Sequence, residues 1–322
     1  MRVLVTGAAG FLGSRLIAAL LEGRPDRPDV SQVLGADVVA CPIGDSRVEA
    51  RTGSIADPDF AASLVEPGPD AVYHLAAIVS GEAEADFDRG MQVNVDGTRA
   101  LLEACRRLPQ PPRFVFASTI AVFGGPLPAM VGDDLWPRPQ SSYGAEKVIG
   151  EMLVAEYSRR GFVDGIAVRL PTVAVRPGRP NAALSSFVSG LIREPLAGLE
   201  TTCPVPLDMR LWICSPEMAT MNLVHAGFLP APVLEGNRIV SLPGLTVTAG
   251  RMLDALERVG GLEARSRVRC EPDPHVTRIV GSWAGALDVS RALRLGFQID
   301  PGIEAIVRQF VNSMPSRQST AR

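Results

Sequence analysis

Apolar residues in the first 170 positions fall into two kinds of run that alternate along the chain. Short β-branched runs predict strands over residues 2–6, 32–39, 47–52, 70–75 and 113–118. Longer stretches with helical spacing lie between them, notably over residues 11–22, 84–108 and 142–160. Strand and helix in alternation imply a parallel sheet with helices on both faces. The strands are apolar nearly throughout, as a sheet covered on both sides requires.

The texture changes after Arg169. Prolines stand at 171, 177, 180, 195, 204, 206 and 216, and periodic stretches thin out until Pro216. The second half therefore reads as a smaller, loop-rich α/β lobe. Strands fit residues 238–242 and 268–271, and helices fit 248–259, 289–295 and 303–312, with Thr248 as an N-cap. The polar tail over residues 313–322 reads as frayed. The expected organisation is a doubly wound sheet over residues 1–170 and a substrate lobe over residues 171–322, some segments of which return to the first unit.

Composition narrows the function. With 322 residues, 46% hydrophobic and 21% charged, the chain has the ordinary globular mix and not that of a disordered one. Lys plus Arg total 32 against 35 for Asp plus Glu, a net charge of −3 with no basic run, which argues against nucleic acid and anionic membranes as partners. No signal peptide is expected at the N-terminus, and no apolar run is long enough to predict a transmembrane helix. Five cysteines, an odd number without a CxxC pair, read as reduced thiols in a cytoplasm. His74, His225 and His275 lack metal-ligand spacing, so no metal is expected, and His225, on an apolar helical stretch, reads as structural. One count stands out: Lys147 is the only lysine.

The candidate chemistry begins at Thr6-Gly7-Ala8-Ala9-Gly10-Phe11-Leu12-Gly13, directly between the first strand and the first helix. Gly7 permits a tight turn, Gly10 lets backbone approach a pyrophosphate, and Gly13 lets the helix pack on the strand, while the helix N-terminus supplies donors. Asp37 ends the second strand, where a carboxylate meets ribose hydroxyls and repels a 2′-phosphate. That favours NAD over NADP. Leu75, Ala76 and Ala77, small residues after the fourth strand, would let backbone approach the same cofactor.

Tyr143 and Lys147 lie four apart on a helical stretch and so share one face. A phenol with a pKa of about 10 must lose about 3 units, roughly 4 kcal/mol, to act as a base near neutrality. An ammonium about 4 Å away supplies roughly that much at an effective dielectric of about 20. Ser118 and Thr119 end the fifth strand at the carboxyl edge of the sheet, where either hydroxyl can donate to a substrate oxygen.

These motifs together resemble the extended short-chain dehydrogenase/reductase family, in TGAAGFLG, in Tyr143-Gly144-Ala145-Glu146-Lys147, and also in His74-Leu75-Ala76-Ala77, Asn94-Val95-Asp96-Gly97-Thr98 and the segment from Ser118 to Gly124. The resemblance implies a Rossmann-type fold, NAD as cofactor, and a catalytic set of Thr119 with Ser118, Tyr143 and Lys147. It implies that Asn94 supports the sheet beside the nicotinamide, that Pro171 to Val173 flank that ring, and that the protein is a homodimer built on the helix carrying Tyr143 and its neighbour. Two departures are visible. Ser54, before Ile55 in the cofactor-binding stretch, stands where the family usually has an aspartate reaching the adenine amine, and Phe123 replaces a tyrosine.

Three stretches, residues 77–84, 169–187 and 193–216, are similar to a sugar-acid dehydrogenase branch whose members oxidise a four-carbon sugar acid at carbon 2 with NAD. A small carboxylate needs a bidentate cation or several neutral donors, and the second half offers Arg176, Arg179, Asn181, Ser185, Ser186 and Arg210, with Ser80 beyond the fourth strand. Arg210, between Leu207 and Trp212, looks least like a surface residue. The leading expectation is therefore an NAD-dependent dehydrogenase acting on a small sugar acid. A nucleotide-sugar epimerase or dehydratase would use the same base, and a redox-sensing regulator would bind the dinucleotide without reacting.

Overall fold

The computed structural model describes residues 1–25, 27–178 and 185–314. Strands β1 (Arg2–Thr6), β2 (Gln32–Asp37), β3 (Val48–Thr52), β4 (Ala71–His74), β5 (Arg113–Thr119) and β6 (Asp164–Leu170) join a strand from the second half, β10 (Ile239–Ser241), in one parallel sheet. Its order is β10-β6-β5-β4-β1-β2-β3. The order reverses between β1 and β4, so a crevice opens at their carboxyl ends.

Helices cover both faces. Helix α1 (Phe11–Leu21) packs on one face with α8 (Pro216–Phe228); α2 (Pro58–Val65), α5 (Gly97–Cys105) and α6 (Ser142–Arg159) pack on the other. Successive strand residues feed opposite cores: Val3 and Val5 meet Leu16, Ile17 and Leu20, whereas Leu4 meets Leu64 and Leu101. This two-sided burial is why the strands lack polar alternation.

The lobe is more regular than its prolines suggest. Strand β7 (Thr172–Val173), helix α7 (Ser186–Leu196), and strands β8 (Thr201–Cys203) and β9 (Arg210–Cys214) occupy the stretch expected to be loop-rich. The prolines mark boundaries: Pro195 lies in the last turn of α7 and Pro216 opens α8, where a missing N–H costs nothing. With β11 (Leu245–Thr248), β9 and β7 form a small sheet, and β12 (Val268–Cys270) pairs with β8. Helix α9 (Ala249–Ser266) packs against α7 and α12 (Ile303–Ser313) around Leu191, Leu211, Leu253 and Phe310, with α10 (Pro274–Gly281) at the rim. Thr248 caps α9 through a bond from the Arg251 amide. The helix runs beyond the expected end and breaks at Gly261, whose φ of 83° lies in the left-handed region. Short helix α11 (Ser290–Arg294) follows.

One expected helix is divided. Residues 84–108 form no single rod: α3 (Ser80–Ala85), α4 (Phe87–Gly90) and a π-helical turn (Met91–Asp96) precede α5. Asp86 stops the first segment and caps the second by accepting from the Arg89 amide at 3.1 Å. No helix among the described residues is long and apolar enough to cross a membrane.

Arg113 on β5 fastens α8 to the sheet. It is 7% exposed, donates to Asp164 at 2.6 Å, and reaches the Ala226 carbonyl at the end of α8 at 2.9 and 3.0 Å. Replacing it leaves the buried Ala226 and Leu229 carbonyls without this donor, while Asp164 keeps Arg238 at 2.6 Å. Arg113→Leu is expected to lower unfolding free energy by about 3 kcal/mol in urea titration. An unchanged midpoint would show that α8 is held by apolar packing alone.

Candidate active site

A cleft of about 1410 Å³ opens at the carboxyl ends of the strands and runs from the glycine loop to the lobe. At one end the loop turns so tightly that two glycines have no alternative. Gly7 has φ +73°, and a Cβ there would stand 2.7 Å from the Ala76 amide nitrogen; a Cβ on Gly13 would stand 2.0 Å from the Gly7 carbonyl oxygen. Gly10 caps α1 without a side chain, and no acidic residue occupies the first turn. The amides of Phe11, Leu12 and Gly13 therefore open the helix without an intrahelical or side-chain partner, beside a cleft that all three line. This donor array fits a pyrophosphate. Asp37 lines the cleft on the β2 side, accepting from the Ala9 amide at 2.9 Å and the Val38 amide at 2.7 Å. A carboxylate keeps further lone pairs for ribose hydroxyls. The residues present thus fit a dinucleotide.

The floor between β1 and β4 is a buried polar chain. Thr98 Oγ1 donates to the Asn94 carbonyl at 2.7 Å, so its oxygen accepts from His74 Nε2 at 2.9 Å. His74 Nδ1 then accepts from Thr6 Oγ1 at 2.7 Å, and Thr6 Oγ1 accepts from the Ala76 amide. Burial, with a smaller push from the Lys147 charge, lowers the His74 pKa to about 3, so the ring is neutral. It fastens the cleft floor and takes no proton. Asn94 also acts from behind the wall: its Oδ1 accepts from the Ile78 amide at 2.8 Å and its Nδ2 donates to the Ile78 carbonyl at 3.0 Å. It does not line the cleft, whereas Leu75, Ala76, Ala77, Ser54 and Ile55 do.

Ser141 caps α6 by accepting from the Gly144 amide at 3.1 Å, and that start sets Tyr143 and Lys147 into the cleft. Lys147 is 3% exposed; Nζ donates to the Ala117 carbonyl at 2.9 Å and lies 4.7 Å from the Phe116 ring centroid and 5.7 Å from that of Tyr143. Burial lowers the Lys147 pKa to about 8 against the opposing pull of Glu146 and Glu151. Tyr143 is pushed up to about 12, first by burial and then by Glu146, with Arg176 pulling it down. The expectation of a depressed phenol is therefore not met in this structure. Desolvation of the phenolate and the Glu146 charge outweigh the opposing pull of Arg176.

The two β5 hydroxyls separate. Ser118 donates to Glu151 at 2.6 Å, and Glu151 is held in a two-bond pair with Arg169 at 2.8 and 2.7 Å, both residues buried. Its proton is engaged away from any substrate, although the residue lines the cleft. Thr119 Oγ1 accepts from the Ala121 amide at 3.1 Å, which leaves its proton to donate.

At the far end, Pro171 and Val173 line the cleft beside Ser80. Among the described residues, the second half beyond Val173 contributes Arg176, Ser185, Ile279 and Trp283. Arg176 is half-buried, and no ion pair joins it to an acid among the described residues. Its pKa is lowered by burial and by nearby Arg193, and raised by Tyr143. Arg210 stands elsewhere: it opens β9, the central strand of the small sheet, with an exposed side chain and does not line the cleft. Its apolar neighbours misled because Arg210 is the first residue of the strand: Leu211 to Cys214 are all buried, while Arg210 at the strand's open end faces out. Arg179 and Asn181 lie outside the described residues.

Residues that sequence reasoning passed over are Glu146, Glu151, Arg169, Ile279 and Trp283. Glu151 had a signal: positions 143, 147 and 151 repeat every fourth residue and so form one stripe on α6. Arg169 sits in β6, a strand not expected, and α10 reaches the cleft only through tertiary packing.

Comparison with known proteins agrees with this geometry. The NAD-dependent epimerase/dehydratase family matches residues 3–225. The D-erythronate dehydrogenase of Cupriavidus necator is 49% identical over 320 residues, covering 97% of this chain and 98% of that protein. The D-erythronate dehydrogenase of Haemophilus influenzae is 42% identical over 313 residues, covering 97% and 99%. The crystal structure of a nucleoside-diphosphate-sugar epimerase from Agrobacterium tumefaciens superposes with a TM-score of 0.93 at 42% identity, covering 97% of this chain and 94% of that one. The chain belongs to the NAD-dependent epimerase/dehydratase family, and its cofactor is NAD.

Proposed function

We propose that this protein is an NAD-dependent dehydrogenase that oxidises a small sugar acid, D-erythronate or a related aldonate, at carbon 2 to the 2-keto acid. The observation that carries the reading is Arg176, a half-buried guanidinium in the cleft, electrostatically coupled to Tyr143 and paired with no carboxylate among the described residues. A desolvated cation beside the base suits one carboxylate adjacent to the reacting carbon, which it can grip with two parallel bonds. The rest of the lobe's described contribution, Ser185, Ile279 and Trp283, offers one hydroxyl and two apolar walls. The names of the two relatives specify D-erythronate.

In this reading Arg176 holds the carboxylate and Thr119 donates a hydrogen bond to the C2 hydroxyl oxygen. Tyr143 Oη takes the hydroxyl proton as the carbonyl forms. Lys147, anchored on Ala117, keeps positive charge beside the phenol. NAD, when bound, accepts the hydride that leaves carbon 2. Net NADH should accumulate, and with D-erythronate and related four- to six-carbon aldonates its absence would end the substrate assignment. Tyr143→Phe is expected to lower kcat by about 10³-fold while leaving NAD affinity within a few-fold, read by steady-state kinetics and by cofactor titration.

The name of the Agrobacterium structure favours a second reading, a nucleotide-sugar epimerase with the same base. It predicts UDP-sugar conversion at constant NADH. Arg176→Gln separates the two readings: loss of a charge-assisted pair should raise KM for an aldonate by about 30-fold, roughly 2 kcal/mol, with a smaller change in kcat.

The pH dependence follows from the two perturbed groups. Because Tyr143 is pushed up to about 12, its basic form grows about tenfold per pH unit through neutrality, so kcat/KM for oxidation should rise. Lys147, lowered to about 8, loses its charge above that pH, and the rise should flatten there. A rate constant flat from pH 6 to pH 8, on the order of two units, would remove the phenol as base.

A further inference from the structure

Glu146 sits beside Lys147 in sequence and three residues after Tyr143, and no step of the mechanism above uses it. It is 1% exposed. Oε2 accepts from Asn94 Nδ2 at 2.6 Å, while Oε1 has no hydrogen-bond partner among the described residues. The site is built around this side chain: a Cβ on Gly90, at the junction of α4 and the π-helical turn, would stand 2.4 Å from Glu146 Oε1. A carboxylate so deep needs a positive partner. Lys147 follows it directly on α6 and is equally buried; its nitrogen meets the Ala117 carbonyl and two ring faces and makes no direct ion pair with Glu146, so the two charges act on each other across the buried wall.

We propose that Glu146 is a positioning residue whose buried carboxylate keeps the Lys147 ammonium charged inside the cleft wall. Through Asn94 the same carboxylate braces the Ile78 backbone against the cofactor cleft. The other charged and titratable groups facing this cluster are Glu84 of α3, whose Oε2 accepts from the Ser142 amide at 2.9 Å, Glu151 of α6, His74 of β4 and Tyr143. Glu151 already has Arg169 and Ser118, His74 is neutral and Glu84 is exposed, so Glu146 is the buried carboxylate of the cluster left to balance the Lys147 charge. Burial pushes the Glu146 carboxyl up, while the Asn94 donor and the Lys147 charge hold it down. The role bears on the dehydrogenase reading, since a neutral Lys147 would leave the phenol with Arg176 alone as adjacent positive charge.

The single lysine makes the test direct. Protein labelled with carbon-13 at the lysine ε-carbon gives one lysine signal, whose titration is followed by NMR without substrate. In wild type it should move near pH 8. In Glu146→Gln, which keeps an oxygen for Asn94, the midpoint should fall by about one pH unit, with the thermal midpoint shifted only slightly. The flattening of the kcat/KM profile should move down with it. In Glu146→Asp, a shorter carboxylate, the lysine midpoint should return toward the wild-type value. A folded Glu146→Gln protein whose lysine signal titrates as in wild type would overturn the proposal. Because that readout involves no turnover, it stands or falls separately from a failure of wild type to oxidise aldonates.

Discussion

A lone ammonium held out of water at the end of β5 sets the terms for the rest of the site. Lys147 is 3% exposed, and an isolated cation at that depth would simply lose its proton. The fold surrounds it with partial and full negative charge: the Ala117 carbonyl, the faces of Phe116 and Tyr143, and the carboxylates of Glu146 and Glu151. Each of these groups needs its own support. Glu151 is fixed by Arg169 and Ser118, Arg169 lies 4.8 Å from the Phe123 ring centroid, and Glu146 is fixed by Asn94. A chain of polar contacts thus runs from β6 through α6 to the π-helical turn, and the stripe of α6 that carries Tyr143 and Lys147 is one link in it.

The same logic of close approach governs the other end of the cleft. Gly7 and Gly13 bring α1 against β1 and the strand-end backbone at distances that no side chain permits, and that contact aims the first-turn amides outward. Thr6 and His74 then tie β1 to β4 across the switch point. The cofactor cradle and the Tyr143–Lys147 pair are therefore positioned by the sheet and its helices, while the lobe supplies the far wall of the cleft. Arg176 follows β7, which joins the lobe sheet through β9, so the lobe's own core determines where that cation stands.

Most of the first unit was legible in the sequence because its signals are local. The glycine loop, Asp37 and the Tyr143–Lys147 spacing each depend on a few adjacent residues, and all reach the cleft. What escaped depends on long-range packing. Strand β6 was not expected although it fills the sheet beside β5, and α7 and β9 were hidden by prolines that mark their borders. The division of residues 84–108 is a similar case, since the π-helical turn that aims Asn94 at Ile78 leaves the hydrophobic spacing nearly helical. Arg210 shows the opposite error, in which apolar neighbours in sequence stood in for burial that the strand does not provide.

Electrostatics marks the limit of pairwise reasoning. Considered alone, an ammonium near a phenol lowers the phenol's pKa, and the sequence spacing makes that pair visible. In the folded protein the phenol is pushed up instead, because burial penalises its charged form and a carboxylate on the same helix repels it. The ammonium is weakened by the same burial. Only the phenolate can take a proton from an alcohol, and with the phenol pushed up that form is a minor one that grows with pH; once formed, its high proton affinity favours the transfer. Arg176 is the one described charge that draws Tyr143 down, and in the proposed complex a substrate carboxylate would neutralise it, so oxidation then leans on the Lys147 charge beside the ring.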